Sequence, residues 1–278
     1  MSVISDYDHR FSALQRLYGD RAYALLPQTH FCVVGLGGVG SWTAEALARS
    51  GVGRLTLIDY DVIALSNVNR QLPAASDRVG EKKIAVMAER IRQINPDCEC
   101  RCIDDFVTSD NLATHLAPAH GFDYVIDAID SIKFKAAMIY YCKRNKIPVI
   151  TTGGAGGLTD PTQIQIKDLS RTYNDALAAK VRGALRDHHN FPRNPQRYFG
   201  VECVFSTQQP VYPKADGSVS HEKPGIHGVH LDCRFGYGSV SFVTAGFGMI
   251  AAGRALNRAL KRRLDKESVS SIRSRMPD

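Results

Sequence analysis

The chain has 278 residues, 44% hydrophobic and 23% charged, with a formal net charge of +7 and a sequence pI near 9.0. These proportions fit a soluble globular protein with one elaborated α/β domain, or two with a small second one. The opening MSVISDYDHRF has no basic stretch followed by an apolar core, and the seven cysteines are an odd number, which suits a reducing cytoplasm, the expected location, better than a disulfide framework.

In chain order, residues 10–26 read as one or two amphipathic helices. Strands are expected at 31–34, 54–58, 100–106, 124–128 and 148–152, with helices between them at 41–50, 81–94, 111–116 and 131–145. This alternation predicts a doubly wound, parallel α/β sheet whose ligands gather at the strand C-termini. Beyond Thr152 the pattern loosens. Strands are expected at 163–167 and 200–206 and a surface helix at 175–187, while 208–230 reads as a mobile loop. Residues 239–264 read as a long helix, apolar first and basic later, and the tail from 265 as disordered. The uncharged run 235–253 holds five glycines and little Leu or Ile, so it suits a helix packed on the sheet better than a membrane span.

The most informative stretch is FCVVGLGGVGS, residues 31–41, where an apolar run breaks into glycines and opens a helix. Gly35, Gly37, Gly38 and Gly40 let an anion approach the backbone amides and the positive end of the helix dipole. Asp59 closes the next strand about twenty residues on, where this fold holds a ribose. A nicotinamide or flavin enzyme is the first hypothesis, and three features oppose it. Asp61 and the run SNVNRQ, with Asn67, Arg70 and Gln71, crowd the sheet edge with groups a dinucleotide does not need, whereas departing pyrophosphate needs a guanidinium. Lys83 in VGEKK adds an ammonium within reach of the same phosphates. DAIDS places Asp127 and Asp130 at a strand end facing the glycine turn, with Asp130 the stronger Mg²⁺ candidate and Asp127 open to a helix-capping role.

GLGGVGS, IDYDVIALSNVNRQ, VGEKK and DAID together resemble the adenylating enzymes related to ubiquitin-activating E1 proteins and to the bacterial activators of molybdopterin and thiamine sulfur carriers. The resemblance runs from about residue 10 to 152, with a weaker match in GSVSFVTAGFGMIAAG. It implies ATP as substrate, Asp59 on the ribose, and Asn67, Arg70 and Lys83 on the phosphates. It further implies Mg²⁺ held by Asp130, and a homodimer in which Arg10, or else Arg16, reaches the partner's nucleotide. It leaves room for a monovalent cation. The paired CxxC motifs of sulfur-carrier activators are absent, and Cys98, Cys100 and Cys102, spaced by two, read as packing rather than zinc ligands.

RLYGDRAYALL, TTGGAGGLTDPTQIQIKDLSRT, DALAAKVR, VECVFSTQQPVYP and LDC are similar to segments of the tRNA threonylcarbamoyladenosine dehydratases, which cyclise a modified adenosine beside the anticodon. That resemblance implies a carboxyl-adenylate followed by attack of the neighbouring ureido group, with tRNA as partner and no stable membrane insertion. It divides the chain into an N-terminal helical segment (1–30), an adenylation domain (31–157), a substrate-binding and dimerisation part (158–264) and the tail (265–278). Two basic clusters, Arg171, Lys180, Arg182, Arg186, Arg193 and Arg197, then Arg254, Arg258, Lys261, Arg262 and Arg263, read either as solvated helix faces or as tRNA contacts. Cys203 and Cys233 are open to a structural role or to thioester or sulfur-accepting chemistry fed by a cysteine desulfurase system. The alternatives are an activator of a small sulfur-carrier protein and a nucleotide-binding adaptor of such a desulfurase system.

Overall fold

The computed structural model describes residues 5–214, 216–222 and 238–273, with side chains described as far as residue 268. Its strands are β1 (His30–Val34), β2 (Arg54–Ile58), β3 (Glu99–Ile103), β4 (Tyr124–Asp127), β5 (Val149–Thr152), β6 (Ile164–Asp168), β7 (Glu202–Ser206), β8 (Tyr212–Pro213) and β9 (Val219–Ser220). The helices are α1 (Asp6–Leu25), α2 (Gly40–Arg49), α3 (Lys83–Ile94), α4 (Leu112–His115), α5 (Ile132–Arg144), α6 (Ala176–His188) and α7 (Ser241–Arg273). β1 to β7 form one sheet in the order β3-β2-β1-β4-β5-β7-β6, parallel except for β6, which runs antiparallel to β7. The expected doubly wound α/β architecture, with a smaller C-terminal extension, is therefore the observed one.

Each strand feeds both faces, because successive side chains alternate. In β1, Phe31 and Val33 join the core under α1, α2, α3 and α7, whereas Cys32 and Val34 join the core under α4, α5 and α6. α1 is two helices meeting at Gly19, whose backbone leaves helical geometry there (φ 77°, ψ 163°).

α7 is the long helix that its small residues suggested. Its face Val243, Phe247, Ala251, Ala255 and Ala259 is buried, at a four-residue spacing that keeps one stripe on the core. Gly248 permits the close crossing with α2: a Cβ there would stand 2.5 Å from the Val39 carbonyl oxygen and 2.9 Å from the Trp42 Cβ. Thr43 Oγ1 donates to the Gly248 carbonyl at 3.2 Å across that crossing. Among the described residues no helix is long and apolar enough to cross a membrane.

Two expectations change. α7 continues to Arg273, past the 264 boundary and into the segment expected to be disordered, because residues 265–273 lack Pro and Gly and extend an established helix at little nucleation cost. The described part of 208–230 contains the β8–β9 hairpin rather than a plain loop. The second basic cluster is also largely spent on the fold. Arg254 and Arg258 pair with Glu202 at 2.5 and 3.0 Å, and Arg263 pairs with Asp123 at 2.7 Å, fastening α7 to the starts of β7 and β4.

Candidate active site

The glycine turn follows β1, and its start is hydrogen-bonded to the strand on either side. Gly35 N donates to the Ile58 carbonyl at 2.8 Å, and Ala128 N to the Val34 carbonyl at 2.9 Å. A Cβ on Gly40 would run into the Gly35 carbonyl oxygen, so only glycine lets the turn fold back onto its own start. Gly37, in contrast, faces open space, as a backbone that receives a ligand must.

Asp59, at the end of β2, is buried, and its carboxylate spans two loops. It accepts from Leu36 N in the glycine turn at 2.6 Å and from Asp61 N at 2.8 Å. Burial pushes its carboxyl above the usual carboxylate value, opposed by those two amides and by nearby Lys83. Lys83 opens α3 and is buried, with Nζ 2.8 Å from an Asp61 carboxylate oxygen that remains half exposed. A cation and two carboxylates thus face the cradle from the β2 side.

Arg70 lies on the opposite rim. Its side chain borders Gly38, with Cγ 3.4 Å from where a Cβ would stand, and its Nη1 donates to the Ser66 carbonyl at 2.8 Å. Its own carbonyl is clamped by Trp42 Nε1 at 3.1 Å and by Thr244 Oγ1 from α7 at 3.3 Å. The single tryptophan of the chain therefore fixes the segment that carries the guanidinium. Asn67 is buried and its Oδ1 caps the turn at Ala64 N (3.0 Å), so in this arrangement it shapes the loop. Gln71 is buried beside it with Oε1 unpartnered among the described residues, an acceptor that a bound group could satisfy.

The two aspartates of DAIDS part company. Asp130 is exposed and makes no hydrogen bond or ion pair among the described residues, which leaves its carboxylate free for a cation. Asp127 is fully buried: one oxygen pairs with Lys135 Nζ at 2.8 Å and the other accepts from Thr151 Oγ1 at 2.7 Å. Its carboxylate does not cap α5 and has no exposed surface, so both oxygens are taken inside the protein instead of standing open to a nucleotide. The ion pair instead ties β4, β5 and α5 together beneath Asp130. Lys135 was not singled out from the sequence. The signal was there, since Lys135 shares a helical face with Met138, Ile139 and Cys142, all buried.

Arg10 is remote from this site in its own chain. It pairs with Asp6 at 3.0 Å and approaches the Ile94 carbonyl, at the far end of α3 from Lys83. At the usual helical rise that end is about 16 Å from Lys83. Cys203 is sealed inside β7, and burial pushes its thiol well up, so no acyl group can reach it in this fold. Cys233 lies outside the described residues. Of the three cysteines read as packing, Cys98 is buried and Cys100 partly buried against the core, whereas Cys102 is exposed.

Residues 9–273 match the ThiF family. The chain is 52% identical over 260 residues to the tRNA threonylcarbamoyladenosine dehydratase of Escherichia coli (strain K12), covering 93% of this chain and 96% of that protein. It is 37% identical to the protein of the same name from Bacillus subtilis (strain 168), covering 91% and 95% of the two chains. A crystal structure of E. coli tRNA N6-threonylcarbamoyladenosine dehydratase, TcdA, in complex with ATP superposes with a TM-score of 0.83 at 49% identity, covering 95% of this chain and 99% of that one. The same enzyme in complex with AMP gives a TM-score of 0.83 at 48% identity, covering 95% and 100%.

Proposed function

The chain belongs to the ThiF family, and from that premise we propose that it is an ATP-dependent tRNA threonylcarbamoyladenosine dehydratase. The observation that carries this reading is the convergence of the glycine turn, buried Asp59, Lys83 and Arg70 on one strand edge, in a chain similar over nearly its whole length to enzymes of that name.

The chemistry follows from what the site supplies. A carboxylate is a poor acyl donor because its leaving group would be oxide. Attack of the substrate carboxylate on the ATP α-phosphate gives an acyl-adenylate and expels pyrophosphate. The neighbouring ureido group then attacks the activated carbonyl, closes the ring and releases AMP, so that one water is lost overall. The second step is intramolecular and needs orientation more than added nucleophilicity. Asp59 holds the ribose through its buried carboxylate. Arg70 and Lys83 stabilise negative charge as pyrophosphate departs, Lys83 exchanging its Asp61 partner for a phosphate oxygen. The amides of the glycine turn and the N-terminus of α2 receive the remaining phosphate charge. The donor set fits Mg²⁺ that arrives on the nucleotide, since that ion is satisfied by one carboxylate, phosphates and water, and exposed Asp130 offers the carboxylate. An ion held there would supply neutralisation of phosphate charge, while the orienting work belongs to the side chains.

A second copy of the chain completes the assembly. Segment 65–70 lies against the start of α7, with Asn69 Nδ2 donating to the Ser239 carbonyl at 2.9 Å. Leu65, Val68, Phe242 and Met249 expose apolar surface in these two segments, the kind of face a dimer covers. Arg10, too far from its own nucleotide site, serves the partner's. Cys203 takes no part in a sulfur-transfer step, because it is sealed.

Incubation with ATP, Mg²⁺ and tRNA carrying threonylcarbamoyladenosine tests the reading. The nucleoside should lose the mass of one water while AMP and pyrophosphate appear together. Arg70→Ala, Lys83→Ala and Asp130→Asn should each lower the rate by about 100-fold or more. Pyrophosphate release that needs a carrier protein and ignores tRNA would replace this function with that of a sulfur-carrier activator.

A further inference from the structure

The first basic cluster is only partly free: Lys180 and Arg197 are exposed without a side-chain partner among the described residues, but its other arginines are engaged. Arg182 donates to Thr172 Oγ1 at 2.5 Å, Arg193 pairs with Asp187 at 2.7 Å, and Arg186 reaches the Pro192 carbonyl while lying 5.3 Å from the Phe199 ring. What the same region does expose is aromatic. Tyr173 is 44% exposed and Tyr198 is 64% exposed. Each ring has a cation on it: Lys167 Nζ is 4.9 Å from the Tyr173 centroid and Arg171 Cζ is 4.7 Å from the Tyr198 centroid.

The Tyr173 ring is braced by packing, and the backbone that carries Tyr198 is fixed by hydrogen bonds. Tyr173 packs edge-on to buried Phe205 at 5.4 Å, and the next residue, Asn174, is tied to the Thr207 carbonyl at 2.8 Å. Tyr198 adjoins a loop whose next three amides, Phe199, Gly200 and Val201, all donate to the Asp168 carboxylate at 3.0, 2.7 and 3.2 Å. Against the upward pull of burial, those hydrogen bonds hold the carboxylate below the usual aspartate value, so it stays ionised while its oxygens are occupied by the loop. The Arg171 guanidinium donates through Nη2 to the Gln196 carbonyl at 3.4 Å, and its buried Nε has no partner among the described residues.

The two pairs lie along the outer strand of the sheet. β6 begins beside Ser206, at the edge that carries the glycine turn, and ends beside Glu202 at the opposite edge. Asn174 lines a small cavity at the first of these edges, together with Gly154 and Ser206. A strip therefore runs along the outer strand, itself about 13 Å long, past Lys167 and Tyr173 to Arg171 and Tyr198.

Resting on the function proposed above, we propose that this strip binds an unpaired stretch of the tRNA substrate, with bases stacked on Tyr173 and Tyr198 and the phosphates beside them met by Lys167 and Arg171. Exposed aromatic rings carried on a fixed backbone and backed by positive charge suit unpaired bases, whose faces a duplex conceals. Such a contact would hold the residues flanking the reacting adenosine while its side chain enters the nucleotide site.

The test uses the full-length protein and two RNA probes, an anticodon stem-loop and a blunt duplex of matching stem sequence, with affinity followed by fluorescence anisotropy. Tyr198→Ala and Tyr173→Ala should each weaken stem-loop binding by about fivefold or more, with duplex binding unchanged. Tyr198→Phe and Tyr173→Phe should retain affinity, and ATP binding should not move in any variant. Lys167→Gln should shallow the salt dependence of stem-loop binding by about 0.7 in log–log slope. Because Tyr198 is largely exposed, its alanine variant remains informative even if Tyr173→Ala loosens the contact with Phe205. Unchanged stem-loop affinity in the alanine variants of a protein that dehydrates tRNA would overturn the strip alone and leave it to a protein partner. Equal losses for stem-loop and duplex would overturn base stacking. A wild-type protein that neither binds nor dehydrates tRNA would overturn the proposed function as well.

Discussion

Asp127 and Asp130 stand three residues apart, and burial alone separates their roles. Removing Lys135 would leave a carboxylate with no exposure and no counter-charge, the costly way to break a buried ion pair. Lys135→Met should therefore destabilise the fold by about 3–5 kcal/mol, read by chemical denaturation, and Lys135→Met with Asp127→Leu should recover most of that loss. A Lys135→Met variant as stable as wild type would mean that the pair does not organise the strand ends. From sequence alone Asp127 looked like a site residue, because a carboxylate at a strand C-terminus carries the same letter whether it meets a ligand or a lysine eight residues on. Asp59 was readable because its place after the second strand is set by the fold's repeat, and the structure puts it on the Leu36 amide of the glycine turn.

At the scale of elements, α7 is secured by charge as well as by its apolar stripe. Burial by itself would raise the Glu202 carboxyl, but hydrogen bonds from Arg254 and Arg258 outweigh it and hold the group below the usual glutamate value. A carboxylate depressed in the folded state stabilises above its unfolded pKa, about 4.3 for glutamate, and that contribution is lost as pH falls through the folded value. Glu202→Gln should thus be less stable than wild type at neutral pH and converge with it in acid, as thermal melts across pH would register. A stability difference that does not change with pH would sink this account of the α7 anchor. The basic half of α7 was visible in the sequence as a cluster; that Arg254, Arg258 and Arg263 fold inward was not, since their partners lie 52, 56 and 140 residues away. Helix periodicity identifies the apolar stripe, whereas an ion pair between distant elements has no local pattern.

For the whole molecule, the proposed second copy has a direct readout. Phe242→Asp places a charge in the exposed apolar surface at the start of α7 and should convert a dimer to a monomer by light scattering. It should also cost adenylation activity if Arg10 acts across subunits, while leaving a cooperative thermal transition, because the side chain is exposed and outside the core. A wild-type protein that scatters as a monomer at all working concentrations would remove both the dimer and the cross-subunit arginine.

The amino-acid sequence by itself determined the parallel α/β alternation, the glycine cradle, the place of Asp59, and the membership of Arg70, Lys83 and Asp130 in one ordered string, because each depends on local periodicity or short-range spacing. Only the tertiary structure decided that Asp127 serves Lys135 and Thr151, that Cys203 is sealed, that most of the basic clusters brace the fold, and that Tyr173 and Tyr198 stand exposed along the outer strand. Those outcomes depend on which distant groups share a volume and how much water is left there, and burial decides whether a charge or a ring is spent inside the protein or offered to a partner.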